Sequence, residues 1–507
     1  MLAQVLSAAV QGIEAVPLEV EVDSGNGQTL VVIVGLPDTA VKESRDRVIT
    51  AMNNSEFHFP LGRTTINLAP ADIRKEGPSF DLPIALGILA ASEQIEPKVL
   101  QDYLVIGELA LTGALRPVKG VLSIAIRAKQ LGKRGILVPK DNAAEAAVVA
   151  GLDVIPIQNL REAAFFLEGG ISIPPVRVDT DCLFAIPPND DLDMADVKGQ
   201  ESVKRALEIA AAGSHNLLLV GPPGTGKSML AKRLAGILPP LTLDEALETT
   251  KIHSIVGLLA PGQALITSRP FRSPHHTASD AGLLGGNANP TPGEISLAHN
   301  GVLFLDELPE FKRSVLETMR QPLEDGRVTI SRAAGTMTFP SAFMLVAAMN
   351  PTPDGKMPHE SKSTGREIQN YLNRVSGPLL DRIDLHVEVP AVKFADLSKA
   401  SPGEPTAKIR ERVVVARQRQ LDRFKGRKVG CNARMGTREL KEFVELDENT
   451  LTMLRHAMAD MNLSARAYDR ILKVSRTIAD LAGRDNVNHE DVFEAVQYRT
   501  LDRQLWG

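Results

Sequence analysis

The sequence predicts an α/β protein of several domains, built around a parallel sheet with helices on both faces. Apolar runs of strand length occupy residues 217–220, 302–305 and 345–349. Continuous apolarity over so few residues is typical of strands covered on both faces. A glycine-rich loop follows the first run directly and leads into a helical pattern, as in phosphate-binding α/β proteins. The chain of 507 residues has room for roughly two to four domains, each with its own core.

The composition is that of a folded protein from a reducing compartment. Apolar residues make up 43% and charged residues 23%, which excludes a wholly disordered or fibrous chain. The formal net charge of −5 provides no global attraction to nucleic acid, so a nucleic-acid site would need a local basic patch.

The two cysteines, Cys182 and Cys431, exclude a disulfide framework. Neither a long apolar run nor a basic secretory start is present, so we expect a cytoplasmic protein without membrane contact.

Two proline-rich stretches, 173–196 and 390–405, mark the expected domain boundaries. We expect an N-terminal domain, a linker, a central domain and a C-terminal helical domain over residues 1–170, 171–194, 195–390 and 391–507. The N-terminal block alternates predicted strands at 30–34 and 65–68 with predicted helices at 80–91 and 121–131. Apolar residues recur at 3.6-residue spacing in four C-terminal stretches, 409–424, 449–461, 467–481 and 489–498.

The beginning of the C-terminal domain is basic. Residues 401–430 contain nine Lys or Arg side chains against three acidic ones. Such a cluster could bind the phosphates of DNA in a salt-dependent manner. A solvated helix face is the alternative interpretation, and the scarcity of aromatic residues argues against base stacking.

The glycine-rich loop is the most specific motif in the chain. Its glycines let successive backbone N–H groups converge on phosphate oxygens at the positive end of the following helix. We expect Lys227 to contact the β and γ phosphates of ATP, and the Ser228 hydroxyl to ligate Mg²⁺. The nucleotide-binding candidates are Gly221, Pro222, Pro223, Gly224, Thr225, Gly226, Lys227 and Ser228.

Polar side chains follow the other two apolar runs. Asp306 and Glu307 come directly after one run, and Asn350 follows the other. The carboxyl ends of parallel strands form the edge at which α/β sheets bind ligands. We expect Asp306 to hold Mg²⁺ through water, Glu307 to polarise the attacking water, and Asn350 to orient that water or touch the γ phosphate. A solvated turn and an Asn-Pro turn are the alternative interpretations.

Three histidines, His275, His276 and His299, raise the question of a metal site. Adjacent histidines diverge on a strand or a helix, and no Cys or acid lies at ligand spacing nearby. We therefore do not expect a metal at these residues.

The loop, the acid pair and Asn350 resemble Walker A, Walker B and sensor 1 of an AAA+ ATPase. Residues 272–277 (RSPHHT) and 292–301 (PGEISLAHNG) resemble the magnesium-chelatase-like branch. Nearly the whole chain is similar to the ComM (YifB) family of bacterial proteins. The resemblance implies an AAA+ core with a C-terminal helical lid, a hexameric ring, use of ATP and Mg²⁺, and a DNA motor for branch migration or unwinding in recombination or DNA uptake.

The resemblance also implies roles for two arginines. Arg382, in GPLLDRID, matches the arginine finger that completes a neighbouring subunit's site, and Arg466 matches sensor 2 of the lid. The alternatives are a surface ion pair for Arg382 and a helix-surface side chain for Arg466.

By the same resemblance, an insert within 250–290 and a hairpin at 327–339 point into the pore of the ring. Arg332 near the hairpin tip is a candidate phosphate contact or a solvated side chain. Many relatives carry a four-cysteine cluster after sensor 1, but residues 351–365 contain no cysteine, so no zinc is expected in that loop.

The N-terminal block resembles the Lon protease domain, an α+β fold of the ribosomal S5 domain 2 type. Residues 75–81 (KEGPSFD) and 107–113 (GELALTG) carry this resemblance, and Ser79 matches the nucleophile. A serine nucleophile needs a neighbouring base. Leu122 stands where the resemblance requires lysine, and Lys119 is three residues early, so we expect this fold without protease activity.

Two other functions stay open. One is a chelatase motor that remodels a metal-insertion partner, although this chain lacks the Asp-x-Ser-x-Ser motif of such partners. The other is an ATP-dependent protease, which would require the missing lysine.

Overall fold

The computed structural model describes residues 2–25, 27–28, 30–72, 75, 77–96, 99–185, 192–286, 290–332, 335–391 and 403–506. The chain divides into two compact units. Unit 1 comprises residues 1–186 and 243–267, and unit 2 comprises residues 187–242 and 268–507. Parts of the expected linker and of the expected boundary near 391 lie outside the described residues, at 186–191 and 392–402.

Unit 1 begins with a four-stranded sheet in the order β1-β2-β4-β3. Its strands are β1 (Leu2–Gln11), β2 (Glu14–Ser24), β3 (Leu30–Val34) and β4 (Arg63–Ala69). β1 and β2 form an antiparallel hairpin at Gly12, whose φ of 64° favours glycine. β3 and β4 are parallel and confirm the two strands predicted in this region.

The remaining elements of unit 1 are a smaller parallel sheet, a short antiparallel strand pair and the helices of the unit. The sheet has the order β5-β8-β9 and consists of β5 (Tyr103–Val105), β8 (Gly135–Pro139) and β9 (Asp153–Ile157). β6 (Glu108–Leu109) and β7 (Leu115–Arg116) form a short antiparallel pair. The helices are α1 (Thr39–Asn54), α2 (Asp81–Ala91), α3 (Val121–Gln130), α4 (Ala143–Ala146), α5 (Leu160–Glu168), α6 (Thr180–Ala185) and α9 (Leu243–Val256).

Helix α2 forms the centre of the unit 1 core. All of its residues are buried, which explains an apolar run without amphipathic spacing. Gly87 permits close packing on β2, because a Cβ there would lie 2.7 Å from Val22 Cγ2. The buried Asp81 carboxylate accepts from Arg47 Nε at 2.9 Å, and burial raises the pKa of that carboxyl. Helices α2 and α3 confirm the two helices predicted in this block.

Residues 243–267 pack in unit 1 although they follow the glycine-rich loop in sequence. Ser254 Oγ, in α9, donates to the buried Glu145 carboxylate. The Gly120 N–H, before α3, donates to Ser254 O at 3.3 Å. The stretch 250–290, expected to hold one insert, is therefore divided at residue 267 between the two units. Its residues 287–289 lie outside the described ones.

Unit 2 contains a five-stranded sheet whose adjacent strands are all parallel, in the order β11-β12-β15-β10-β16. The strands are β10 (Leu217–Val220), β11 (Phe271–Arg272), β12 (Val302–Leu305), β15 (Met344–Met349) and β16 (Leu385–Glu388). Alternate residues of β10 enter separate cores, with Leu217 and Leu219 on one face and Leu218 and Val220 on the other. Burial on both faces confirms the parallel sheet that the apolar runs predict.

Helices cover this sheet, and a separate two-stranded hairpin completes this part of unit 2. The helices are α7 (Glu201–Gly213), α8 (Lys227–Ile237), α10 (Asp280–Leu284), α11 (Glu294–Leu297), α12 (Arg313–Thr318), α13 (Arg320–Asp325), α14 (Gly365–Leu372) and α15 (Gly377–Leu380). The hairpin pairs β13 (Arg327–Arg332) with β14 (Gly335–Pro340) in antiparallel register.

The C-terminal part of unit 2 is helical. Its helices are α16 (Thr406–Arg423), α17 (Thr437–Phe443), α18 (Glu448–Asp460), α19 (Ala465–Leu481) and α20 (His489–Gln497). Four of them confirm the predicted helices, and α17 is an element that the sequence analysis missed. Apolar side chains of these helices share one core with a face of the parallel sheet. Among the described residues, no helix combines the length and apolarity needed to cross a bilayer.

Candidate nucleotide site

The glycine-rich loop connects β10 to α8 at the carboxyl edge of the sheet. Gly224 and Gly226 have φ values of 79° and 88°, a region in which a side chain would be strained. α8 begins at Lys227, so its free N–H groups lie at the end of the loop. The local sequence therefore folds into a loop-and-helix start suited to phosphate oxygens.

The Lys227 ammonium is held inside the loop. Its Nζ donates to Gly221 O at 2.6 Å, to Pro222 O at 2.9 Å and to Asn350 Oδ1 at 3.1 Å. The residue is 8% exposed, and burial lowers the pKa of the ammonium. Three oxygen acceptors thus hold this positive charge beside the loop, where a phosphate group could replace them.

Ser228 and Asp306 bring two oxygen ligands together from different elements. Ser228 Oγ, at the start of α8, donates to Asp306 Oδ2 after β12 at 2.5 Å. A hydroxyl and a carboxylate are oxygen donors of the kind that Mg²⁺ takes at nucleotide sites, together with phosphates and water. The residues present therefore fit a nucleotide-associated Mg²⁺.

Glu307 follows Asp306 directly after the end of β12. Its φ of 54° is unusual for a residue other than glycine, and its N–H donates to Asp306 Oδ1 at 3.0 Å. The side chain is 58% exposed, and His276 Nδ1 lies 3.2 Å from its Oε2. In the sequence His276 stands out only as a possible metal ligand, because its contact with Glu307 joins two different loops.

A cavity of about 580 Å³ unites these groups. It is lined by the loop from Pro223 to Ser228, by Asp306 and Glu307, and by Asn350. β10, β12 and β15 are neighbours in the sheet, so their carboxyl ends meet at this cavity. The candidates Gly221 and Pro222 do not line the cavity, and their carbonyl oxygens accept from Lys227 Nζ instead.

Tyr371, in α14, is a lining residue that the sequence analysis missed. Its hydroxyl donates to Asn350 O at 3.3 Å, and burial raises its pKa to about 12. The contact ties α14 to the end of β15. No motif in the sequence marks this tyrosine, because it reaches the cavity only through the packing of α14.

Arg382 and Arg466 do not line this cavity in the described structure. Arg382 is 5% exposed, and its Nη2 lies 2.5 Å from Glu324 Oε1. Arg466 is largely exposed, with Nη1 3.9 Å from Asp381 Oδ2. Both arginines therefore contact acidic side chains of unit 2.

Most basic side chains of residues 401–430 pair with carboxylate or carbonyl groups inside unit 2. Arg417, which is buried in α16, donates to Ala212 O at the end of α7. The other arginines of the segment have carboxylate or carbonyl partners: Arg410 with Gly236, Arg412 with Glu208 and Glu404, Arg419 with Asp485, Arg423 with Asp480, and Arg427 with Glu442. These contacts account for six of the basic side chains without a nucleic acid.

The hairpin carries a polar exposed face. Ser331 Oγ lies 2.9 Å from Thr336 Oγ1, and Thr329 Oγ1 lies 3.0 Å from Thr338 Oγ1. Arg332 is exposed at the end of β13. The tip itself, residues 333–334, lies outside the described residues.

In unit 1, Ser79 lies in a short 3-10 turn, and its carbonyl accepts from the Gly107 N–H at 2.9 Å. Leu122, at the position where the protease resemblance requires lysine, is buried in α3. Its N–H donates to Glu145 Oε1 at 2.8 Å. A Cβ on Gly257 would lie 2.8 Å from Lys119 Cε, so Lys119 packs against the end of α9.

Comparison with known proteins decides the family. Three family models match this chain. The model described as "Magnesium chelatase, subunit ChlI" matches residues 193–397. "Subunit ChlI of Mg-chelatase" matches residues 20–142, and "Magnesium chelatase, subunit ChlI C-terminal" matches residues 403–499. The chain is 46% identical to the competence protein ComM of Haemophilus influenzae, over 99% of this chain and 98% of that protein. This chain belongs to the ComM/YifB family of magnesium-chelatase-like proteins. Its members include the YifB protein of Salmonella typhimurium, 47% identical over 99% of this chain and 98% of that protein.

More distant similarity extends to a chelatase subunit. The chloroplastic magnesium-chelatase subunit ChlI of Nicotiana tabacum is 21% identical over 59% of this chain and 70% of that protein. Together with the family matches, this similarity supports an ATPase of the AAA+ class.

Proposed function

We propose that this ComM/YifB protein is a cytoplasmic, ring-forming ATPase that couples hydrolysis of Mg-ATP to movement of DNA through a central pore. Branch migration or unwinding during recombination or natural transformation is the expected activity. The observation that carries the ATPase is the meeting of Lys227, Ser228, Asp306, Glu307 and Asn350 at one cavity. These are the groups needed to bind a triphosphate, hold Mg²⁺ and activate water.

Each group has a distinct task in this proposal. The backbone N–H groups of the loop and Lys227 bind the phosphates, and Lys227 exchanges its loop carbonyls for phosphate oxygens. Ser228 would ligate Mg²⁺ and Asp306 would hold it through water, and the ion would offset negative charge on the transferred phosphoryl group. Glu307 accepts the proton of the attacking water, and Asn350 orients that water or contacts the γ phosphate.

The proposed ring rests on the family and on Arg382, the candidate for an arginine that acts across a subunit interface. Arg382 would act on the γ phosphate of a neighbouring subunit, a contribution of about 10³ to 10⁵ in rate in related chemistry. Arg466 lies in the first turn of helix α19 of the proposed lid and would report the nucleotide state. A homo-oligomer, expected to be a hexamer, is therefore part of the proposal.

The proposal of a DNA substrate rests on the family and on the exposed face of the hairpin. The Haemophilus relative is named a competence protein, which supports a DNA-related role. The exposed hydroxyl groups and Arg332 of the hairpin β13–β14 offer hydrogen bonds and charge for a phosphate backbone. The internal partners of the arginines in 401–430 leave the hairpin as the better-supported contact.

A second candidate function is a motor that remodels a metal-insertion partner. The matches to chelatase subunit descriptions favour it. Such a motor would hydrolyse ATP faster with a chelatase partner and would not respond to DNA.

A strand-displacement assay distinguishes these functions. We expect the purified protein to separate forked or three-stranded DNA with ATP and Mg²⁺, and DNA to stimulate its ATP turnover. Lys227→Ala should lose both activities. ATP turnover that responds to a chelatase partner and is indifferent to DNA would overturn the DNA motor but not the ATPase.

A further inference from the structure

We infer that Asp354 is a positioning residue for nucleotide binding, which holds the loop 351–364 against the glycine-rich loop. The loop 351–364 connects the end of β15 to α14. Both of its ends reach the nucleotide cavity, since Asn350 before it and Tyr371 in α14 line that cavity. The inference rests on the proposed ATPase function and assigns a residue that belongs to none of the nucleotide-binding motifs.

The Asp354 carboxylate joins the beginning of the loop 351–364 to its end. The Thr352 hydroxyl lies 2.7 Å from Asp354 Oδ1, and the Ser361 hydroxyl donates to the same oxygen at 2.7 Å. The Lys362 N–H donates to Asp354 Oδ2 at 2.9 Å. Ser361 and Lys362 come shortly before the first turn of α14. One side chain therefore closes the loop on itself.

These bonds favour the ionised carboxylate. Hydrogen bonds from Thr352, Lys362 and Ser361 hold the pKa of the Asp354 carboxyl well below its usual value. Bonds to an ionised acceptor are roughly twice as strong as neutral ones. Thr352 is fully buried, and its hydroxyl also lies 2.5 Å from Lys356 O. The exposed Asp354 is thus anchored to an interior residue.

The loop 351–364 packs directly on the glycine-rich loop. Gly355 has a φ of 79°, and its N–H donates to Thr352 O at 3.0 Å. A Cβ on Gly355 would lie 2.6 Å from Pro223 Cδ, so glycine permits this close approach. Pro353 and Pro223 both line the nucleotide cavity. Asp354 therefore fixes the residues on either side of it, of which one lines the cavity and the other contacts Pro223.

A loop that is closed in this way keeps one wall of the cavity in place before a nucleotide binds. A preorganised site loses less conformational entropy on binding than a mobile one. Without the carboxylate, the loop 351–364 could move away from Pro223, and its ordering would oppose binding. We therefore expect Asp354 to influence the affinity for ATP and not the rate of bond cleavage.

Equilibrium binding of Mg-ATP to the full chain tests the inference, together with steady-state hydrolysis. We expect Asp354→Ala to weaken ATP binding about fivefold to tenfold. The value of kcat at saturating ATP should be unchanged, because the loss concerns binding alone. Asp354→Asn should have an intermediate affinity, since its one amide oxygen can still accept from the two hydroxyl groups.

The matched control is Asp447→Ala. Asp447 is also exposed and accepts from the Thr450 N–H at 2.7 Å, at the start of α18 and outside the cavity lining. This variant should bind ATP as wild type does. An equal loss of affinity in Asp447→Ala would show that the effect of Asp354→Ala is not specific to the loop 351–364.

Gly355→Ala tests the same contact without a change to the carboxylate. Its Cβ should force the loop away from Pro223, so ATP binding should again weaken about fivefold or more. This variant decides the question if Asp354→Ala does not fold. Wild-type affinity in Gly355→Ala or in folded Asp354→Ala would overturn the inference, and so would a loss confined to kcat.

Lys227→Ala separates this failure from that of the proposed function. If wild type binds ATP no more tightly than Lys227→Ala, the nucleotide site itself fails. If binding depends on Lys227 while Asp354→Ala and Gly355→Ala bind ATP normally, only the role of Asp354 is removed.

Discussion

Arg382 and Glu324 form an ion pair within one protomer, with 2.5 Å between Nη2 and Oε1. Arg382 Nη1 also donates to Pro378 O at 2.5 Å, and the arginine side chain is only 6% exposed. Glu324 belongs to α13, which leads through Gly326 into the hairpin β13–β14. If Arg382 acts on the γ phosphate of a neighbouring subunit, it must first separate from Glu324. The helix that carries Glu324 leads into the hairpin.

Glu324→Gln should make Arg382 easier to release. The glutamate is half exposed, so its attraction to Arg382 is worth about 0.5–1 kcal/mol, and its removal should raise ATP turnover about two- to fivefold. Steady-state hydrolysis at one protein concentration measures the effect. Glu442→Gln, which removes the partner of Arg427, is the control. A fall to the level of Arg382→Ala would show that Glu324 supports the site instead.

If the protein forms the proposed ring, Arg382→Ala should abolish hydrolysis in rings of this variant alone, because no guanidinium would then reach the neighbouring site. Mixed rings with Lys227→Ala subunits should regain part of the activity. In such rings a site can combine an intact loop from one subunit with an intact arginine from the next. Titration of one variant into the other tests this, and a flat response at all ratios would contradict an arginine that acts across the interface.

Glu307→Gln should bind ATP with near-native affinity but should not turn it over. The amide keeps the size of the side chain and loses the ability to accept a proton from water. Filter binding of labelled ATP and phosphate release measure the two properties. The control is Glu360→Gln, since Glu360 is exposed and pairs with His359 on the surface. Hydrolysis near the wild-type rate would refute the assignment of Glu307.

His215 should make unit 2 less stable as the pH falls. It is fully buried between Asp384 and Thr477, and burial lowers its pKa despite the nearby Asp384. Below the unfolded pKa of about 6.5, the unfolded chain binds a proton that the folded chain does not. The free energy of unfolding therefore decreases as the pH is lowered. The urea midpoint should therefore be lower at pH 5.5 than at pH 7.5.

A variant isolates this contribution. In His215→Gln the two urea midpoints should lie closer together, because the variant lacks a loss of unfolding free energy of up to about 1.4 kcal/mol per pH unit below 6.5. His359→Gln, at an exposed position, should keep the wild-type difference. An unaltered pH dependence in His215→Gln would exclude this histidine as the cause.

Ser79→Ala should leave ATP turnover unchanged, and neither form should cleave peptides. Leu122 fills the position at which the protease resemblance requires a lysine, and its side chain is buried. Degradation of an unfolded protein such as casein, with ATP present, measures the activity. Cleavage that Ser79→Ala removes would establish a protease instead.

Local patterns predicted a large part of the fold. The strands β3, β10 and β12 and four of the C-terminal helices occur where apolar spacing places them, because burial of a strand or helix face requires that spacing. α17 escaped prediction because only Leu440 of its seven residues is buried. The assignment of residues 243–267 to unit 1 was equally invisible, since it depends on contacts such as Ser254 with Glu145.

The sequence by itself determined the nucleotide loop and the acids and amide after two strands. The loop needs glycine at Gly224 and Gly226, and parallel strands bring their carboxyl ends to one edge, so local chemistry implies the site. Only the tertiary structure decided which charges are already paired. Arg382 lies against Glu324, Arg417 against the end of α7, and His276 against Glu307. Each pair joins segments that are far apart in sequence, and their meeting depends on how whole helices and strands pack.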